Sequence, residues 1–164
     1  MSETKGPRRP PHIELPNTPY FVSSRTHESR RVFCGEVAAE AVDELNRIRH
    51  EYEFLLLAFA FMPDHAHFVL VPAANSIIGR TMQVIKGRIA RRVNVVLGET
   101  GSIWQQGFYD RMVRTREQLN TYVEYTHKNP VEAGIVEREE EYEFSSANGS
   151  CLADYRRFFD EVRT

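Results

Sequence analysis

The sequence predicts an α+β domain: a ferredoxin-like antiparallel sheet with helices packed on one face. Three observations predict it. The elements read in the order strand, helix, strand, strand, helix, strand, helix. Two apolar runs, Phe54–Phe61 and His65–Val71, are separated only by the turn-forming Met62-Pro63-Asp64, which makes them a hairpin. From Ile78, the residues Met82, Ile85, Ile89, Val93 and Val96 recur at helical spacing, giving an amphipathic helix of about six turns that ends near Gly98.

The other elements follow by the same rules. Met1–Pro19 holds five of the eight prolines and no apolar core, so residues 1–18 are expected to form a flexible, mildly basic arm and not a signal peptide. Tyr20-Phe21-Val22-Ser23-Ser24 reads as the first strand. Glu36–Arg49 reads as a helix with Val37, Ala41, Leu45 and Ile48 inward and Glu40, Asp43, Glu44 and Arg47 on the surface. Phe108–Arg114 reads as a strand. Thr115-Arg116-Glu117-Gln118 is a capping box opening a helix that runs to about Asn129, where Pro130 is expected to stop it. Glu132–Glu143 is acidic. Residues 148–164 form a tail whose helix carries Tyr155, Phe158, Phe159 and Val162 at helical spacing. The organisation is thus an arm over 1–18, a folded domain over 19–147 and the tail over 148–164.

Composition narrows the class. The 164 residues are 41% apolar and 27% charged, with a net charge of −2. That suits one soluble globular domain of roughly 150 residues plus an arm. It excludes a strongly basic nucleic-acid coat protein and an acidic solvating chain. The longest clean apolar run, Phe54–Met62, is nine residues, against the roughly 20 of a membrane helix, so no membrane partner is expected. Cys34 and Cys151 alone make neither a disulfide scaffold nor a Cys-based zinc site, which points to a reducing, cytoplasmic setting.

Two pairs of residues carry chemistry. His65 and His67 are two apart on a strand, so both imidazoles leave the same face, about 7 Å apart along it and within reach of one metal ion. Tyr125 and Asn129 are i and i+4 on a helix, one above the other, and Tyr125 lies off the apolar side formed by Leu119, Val123 and Thr126. His127 lies about 160° from Tyr125 around that helix and is not placed as a general base. Either pair alone has an ordinary structural explanation. A single-sign stretch also stands out: Arg80, Lys86, Arg88, Arg91 and Arg92 are the only charges between Arg80 and Gly98, favouring an anionic partner.

The two pairs together resemble one known family. Met62-Pro63-Asp64-His65-Ala66-His67-Phe68-Val69-Leu70 is similar to the His-hydrophobic-His motif of the one-tyrosine transposases. Tyr125-Thr126-His127-Lys128-Asn129-Pro130 and the following Val131–Val136 resemble that family's nucleophile segment, most closely in the branch associated with repetitive extragenic palindromes (REP) in bacteria. Trp104–Asp110 and Tyr20–Arg25 match the same branch, and the resemblance covers about residues 17–147.

The resemblance implies a transposase that binds single-stranded DNA hairpins formed by palindromic repeats. It implies cleavage and rejoining with Tyr125 as nucleophile, through a 5′-phosphotyrosine link and a free 3′-hydroxyl. It implies a divalent metal, Mg²⁺ or Mn²⁺, on His65, His67 and Asn129; imidazoles by themselves would also suit Zn²⁺ or Ni²⁺. Better-known relatives often carry Gln at the third ligand position, and the palindrome-associated branch carries Asn. Tyr122 is a rival nucleophile whose spacing to Asn129 fits the family poorly. Phosphate contacts are expected from Arg80, Lys86, Arg88, Arg91, Arg111, Arg114 and Arg116, with the chain a monomer or homodimer. Two other readings stay open: a metal-dependent phosphodiesterase with a water nucleophile, and a non-catalytic hairpin-binding relative.

Overall fold

The structure, a computed structural model, describes residues 15–162. Of the expected arm, only Leu15–Thr18 falls within them; Arg8 and Arg9 lie outside, as do Arg163 and Thr164 of the tail. The chain runs β1 (Tyr20–Arg25), α1 (Gly35–Tyr52), β2 (Leu55–Met62), β3 (His65–Val71), α2 (Ile78–Leu97), β4 (Tyr109–Met112), α3 (Arg116–Glu132) and α4 (Leu152–Val162). The four strands form one antiparallel sheet in the order β2-β3-β1-β4. This is the ferredoxin-like order: the two central strands, β3 and β1, are not consecutive in sequence and are joined across α1 and β2.

Alternation along the strands sorts their side chains onto two faces. Tyr20 and Val22 of β1 and Ala66, Phe68 and Leu70 of β3 share the first face with Leu56, Phe59 and Phe61 of β2. The apolar stripes of α1 (Val37, Ala38, Ala41, Leu45, Ile48) and α2 (Ile78, Met82, Ile85, Ile89, Val93) pack there, as their periodicity predicts. Helices on one face therefore describe α1 and α2 correctly, but not the whole molecule. Phe21, Leu55, Leu57, Ala58, Val69 and Val71 point to the second face and are covered by Leu119 of α3 and Phe158 of α4. The second cover is required because β2, and β3 over Phe68–Val71, are apolar on both sides, and such a stretch of sheet needs packing on both.

A β-bulge makes β2 serve both faces. The β2–β3 register slips between Leu56 and Ala58, so Leu57 and Ala58 both join the second core before Phe59 returns to the first. β2 is also an edge strand, and its outward amides are answered by the C-terminal segment. Leu56 N–H donates to Asp154 Oδ2 (2.9 Å), Phe59 N–H to Ser146 Oγ (2.9 Å) and Phe61 N–H to the Phe144 carbonyl (2.8 Å). The tail thus closes an edge that would otherwise offer a template for strand addition.

Three local expectations need correction. Glu44 is not a surface residue: it is 6% exposed, clamped between α1 and α2 by Arg88 (2.8 Å) and Arg47 (3.1 Å). Pro130 does not stop α3, which runs on to Glu132. It lies in the last turn, where a missing N–H removes one helical bond. The helix ends instead at Gly134, in the left-handed region (φ 73°), where Gly134 N–H donates to Val131 O (2.9 Å) and Ile135 N–H to Pro130 O (3.0 Å). The cap of α3 is also half of the expected box: Thr115 Oγ1 accepts from Gln118 N–H (3.1 Å), but Gln118 Oε1 accepts from Arg114 N–H (2.9 Å).

Candidate active site

The second face is apolar under α4 and polar at its other end. The register places Ser23, Arg25, His65, His67, Tyr109 and Arg111 on that face. His67 sits on the central strand β3, level with Ser23 of β1 and Ala60 of β2. Small neighbours on both sides leave room for its ring. The β2–β3 turn is fixed from outside: Thr26 donates through its N–H (2.9 Å) and Oγ1 (3.0 Å) to the Asp64 carbonyl, and Phe33 N–H donates to Pro63 O (3.1 Å). With its backbone held, the Asp64 carboxylate accepts from His65 Nδ1 (2.7 Å). That bond pulls the Asp64 pKa below the usual carboxylate range. It also leaves His65 Nε2 as the outward nitrogen, the arrangement by which a carboxylate orients a ligating histidine.

His67 is 4% exposed, and neither ring nitrogen has a hydrogen-bond partner among the described residues. Burial first, then the neighbouring charges of His65 and Arg25, push its pKa down to about 3. The ring is therefore held neutral, the form that ligates metals. A buried imidazole with both nitrogens unanswered costs about 1–3 kcal/mol per group relative to a satisfied one. A cation at this point would answer one of them. The His65 and His67 rings are 4.8 Å apart, centroid to centroid, at 75°.

α3 brings the phenol. Leu119, Thr126 and Pro130 seat its buried side, with Thr126 Oγ1 donating to Tyr122 O (2.8 Å). Tyr122 stacks on Phe21 with ring centroids 4.6 Å apart and packs into the second core. Tyr125, three residues on, is 44% exposed, and its ring centroid lies 5.4 Å from that of His67. Phe21 contacts all three rings, stacking on His67 at 5.5 Å and meeting the edge of Tyr125 at 5.8 Å. The structure thus brings His65, His67 and Tyr125 together from two distant stretches of chain. Asn129 follows Tyr125 by one turn on the same side of α3 and is half-buried. His127 points elsewhere, with Nε2 2.7 Å from Ser146 Oγ. Among the described residues no three His, Cys, Asp or Glu side chains gather around one point. A metal here would therefore rest on two imidazoles and a neutral oxygen.

Residues 17–129 match the family described as "Transposase IS200 like". The chain belongs to the IS200-like transposase family. A Haemophilus influenzae protein, assigned provisionally by name to the REP-associated tyrosine transposases, is 25% identical over 145 residues, covering 82% of each chain. The ISDra2 transposase TnpA of Deinococcus radiodurans is 29% identical over 105 residues, 59% of this chain and 75% of that one. A solved structure of a REP-associated tyrosine transposase bound to a REP hairpin superposes with a TM-score of 0.69 at 16% identity, over 86% of this chain and 83% of the other. That last likeness concerns the fold. No helix among the described residues is long and apolar enough to cross a membrane.

In this IS200-like transposase the seven expected phosphate contacts divide by layer. Arg111 is exposed on the face that carries His67. Arg114 and Arg116 are exposed where β4 leads into α3, with the Arg116 guanidinium 4.5 Å from the Phe159 ring centroid. Arg80, Lys86, Arg88 and Arg91 lie on α2, across the sheet from the histidines. Arg80 and Arg91 are exposed there. Part of the single-sign charge of α2 has an internal answer: Arg88 pairs with Glu44 and Glu51 (2.8 and 3.0 Å), and Arg92 with Glu40 (2.7 Å). Lys86 Nζ donates to the carbonyls of Gln105 (3.0 Å) and Gly107 (2.6 Å). Sequence reasoning passed over Arg25 and Asp64. Their only signal was position: Asp64 precedes the first histidine, and Arg25 ends the strand that pairs with it.

Proposed function

We propose that this protein binds single-stranded DNA hairpins and cleaves and rejoins the strand with Tyr125 as nucleophile. The observation that carries the reading is the convergence of the Tyr125 ring, 5.4 Å from His67, with an imidazole pair in which His67 is buried and unpartnered among the described residues and His65 is oriented by Asp64. Family membership makes DNA transposition the general activity, and the relatives' names supply the tyrosine and the hairpin.

The phenol oxygen of Tyr125 attacks a backbone phosphorus. The P–O bond to the 3′ oxygen breaks, a 5′-phosphotyrosine forms, and the phenolic proton leaves as the 3′ oxygen gains one. The covalent link retains the phosphodiester energy for the later joining. The exposure of Tyr125 lets a strand reach it, while Phe21 meets its ring at the edge. His65, oriented by Asp64, together with His67 and Asn129 would hold Mg²⁺ or Mn²⁺. Such an ion polarises a phosphate and stabilises charge on a leaving oxygen. Arg111, on the same face, is placed to meet an incoming phosphate.

A labelled single-stranded hairpin incubated with protein and Mn²⁺ is expected to yield a covalent protein–DNA product that survives denaturation. Tyr125→Phe removes it and Tyr122→Phe retains it. Multiple turnover on small phosphodiesters with no protein-linked product would establish a water nucleophile instead. Binding without cleavage would establish a non-catalytic binder.

A further inference from the structure

Between Tyr125 and Asn129 in sequence stands a third polar side chain, His127. Two residues from each, it leaves α3 about 160° around the axis from both. It therefore cannot reach a phosphate or an ion held on their side of the helix. It meets the C-terminal segment instead, with Nε2 2.7 Å from Ser146 Oγ.

The Ser146 hydroxyl serves two elements at once. It is 2% exposed, in a single 3-10 turn over Ser146–Asn148. Its Oγ accepts from Phe59 N–H of β2 (2.9 Å) and shares the hydrogen bond with His127. The residues before it are stitched along the same strand. Ser145 forms an isolated antiparallel bridge with Ala60. Phe61 N–H donates to the Phe144 carbonyl (2.8 Å), and the buried Tyr142 hydroxyl donates to the Phe61 carbonyl. Ala60 is the β2 residue level with His67 in the register. A polar link thus runs from the back of α3, through one buried hydroxyl, to the amide next to the partner of the imidazole strand.

The remaining hold of α3 on the sheet is of another kind. Leu119, Tyr122 and Val123 pack against the second core. Such contacts are non-directional, so they fix the depth of a helix better than its rotation. A second tie, Tyr155 Oη donating to Asn120 Oδ1 (2.8 Å), is exposed and reaches α4, not the sheet. Rotation matters here, because turning a helix by about 10° swings an atom about 9 Å from its axis by about 1.5 Å, enough to lose an aligned attack.

We propose that His127 is a positioning residue for the strand-transfer step: its hydrogen bond to Ser146 sets the rotation of α3 against β2 and so aims the Tyr125 oxygen at the phosphorus. The assignment rests on the reading of Tyr125 as nucleophile. It gives the segment Tyr142–Ser146, which closes the edge of β2, a second task in holding the nucleophile helix.

The test separates rate from binding. A labelled single-stranded REP hairpin is mixed with an excess of the full chain and Mn²⁺, and the rate of adduct formation is measured well below each variant's melting temperature. Hairpin affinity is measured for the same variants in the Tyr125→Phe background. His127→Leu keeps the volume and removes the hydrogen bond. It is expected to slow adduct formation by about 10- to 100-fold, the cost of a misplacement of about 1 Å, with hairpin affinity unchanged. Ser146→Ala should slow it by a similar factor, and the double variant no further than either single one, because both cuts sever one link. His127→Gln, whose amide reaches about as far as Nε2, should recover most of the rate, whereas His127→Asn, one methylene shorter, should not. That Gln and Asn pair decides the matter if His127→Leu does not fold. A purely structural role predicts the opposite pattern, a lower melting temperature with the parental rate. The parental rate in His127→Leu, equal rates in the Gln and Asn variants, or losses that multiply in the double variant would overturn the proposal while the parent's adduct stands. Absence of any adduct from the parent chain overturns the functional reading and the positioning role with it.

Discussion

The two faces of one sheet are built from the same strands and put to different ends. On the first face, the stripes of α1 and α2 meet an apolar cluster, and Arg88 and Arg92 of α2 are neutralised at the helix–helix seam by Glu40, Glu44 and Glu51. On the second face, the apolar cluster gives way along β3 to His67 and His65, and the helix above it offers an exposed phenol. Charge at the α1–α2 seam serves packing, whereas Arg111 on the second face is exposed. The lesson concerns neighbours: residue type mattered less than whether the facing element supplied a partner. Arg88 and Arg25 are the same residue type; Arg88 is locked between helices, and Arg25 faces a cleft.

That contrast predicts separable effects. The largest should come from the packed face. Ile85→Ala, at a fully buried position, should cost about 2–5 kcal/mol of unfolding free energy. Hairpin affinity, measured well below the melting temperature, should hardly change. If it falls in step with stability, the two faces are not independent. His67→Ala should do the reverse. Adduct formation should fall by about 100-fold or more, since outer-shell partners alone are worth 10–100-fold, while the protein stays folded by circular dichroism. Asp64→Asn should fall by about 10-fold on the same assay.

Acid should sharpen the contrast next. In the folded state the His67 pKa is about 3, against 6.5 for the ordinary group. Below about pH 6.5 the unfolded chain therefore binds a proton that the folded chain refuses. The stability this group contributes is complete above that pH and is lost as pH falls towards 3, by up to about 1.4 kcal/mol per pH unit. Urea titrations between pH 7 and 5 should show that slope in the parent and a shallower one in His67→Phe. Equal slopes would mean the ring is not held neutral by its surroundings.

The smallest effects should distinguish the arginines. Arg111→Ala should weaken hairpin binding several-fold and lower the salt slope by about one counterion. Arg88→Ala should leave binding unchanged and show up in stability, because it strips a partner from the buried Glu44 carboxylate. A loss of DNA affinity in Arg88→Ala would restore α2 as a contact surface.

Much of this molecule could be read from periodicity. The stripe Ile78, Met82, Ile85, Ile89 and Val93 declares α2, and the buried positions coincide with it. The alternation His65-Ala66-His67-Phe68 placed both imidazoles opposite the apolar side chains. The i, i+4 relation placed Tyr125 and Asn129 on one side of α3. What escaped the reading involved contacts between segments far apart in sequence. Glu44 looked like surface because its partner Arg88 is 44 residues away. Pro130 looked like a terminus because its cost is local, while the anchoring of Thr126 and Pro130 against the core is not.

By itself, then, the order of residues determined which segments are strands and helices, which side of each is apolar, and which polar side chains share a face. Those properties depend on dihedral preferences and side-chain spacing within a few residues. Only the tertiary structure decided that α3 crosses the polar end of the sheet so that Tyr125 meets His67, that the tail seals β2, and that some arginines are matched and others left open. The reason is that burial and pairing belong to two surfaces at once, and a spacing rule sees only one of them.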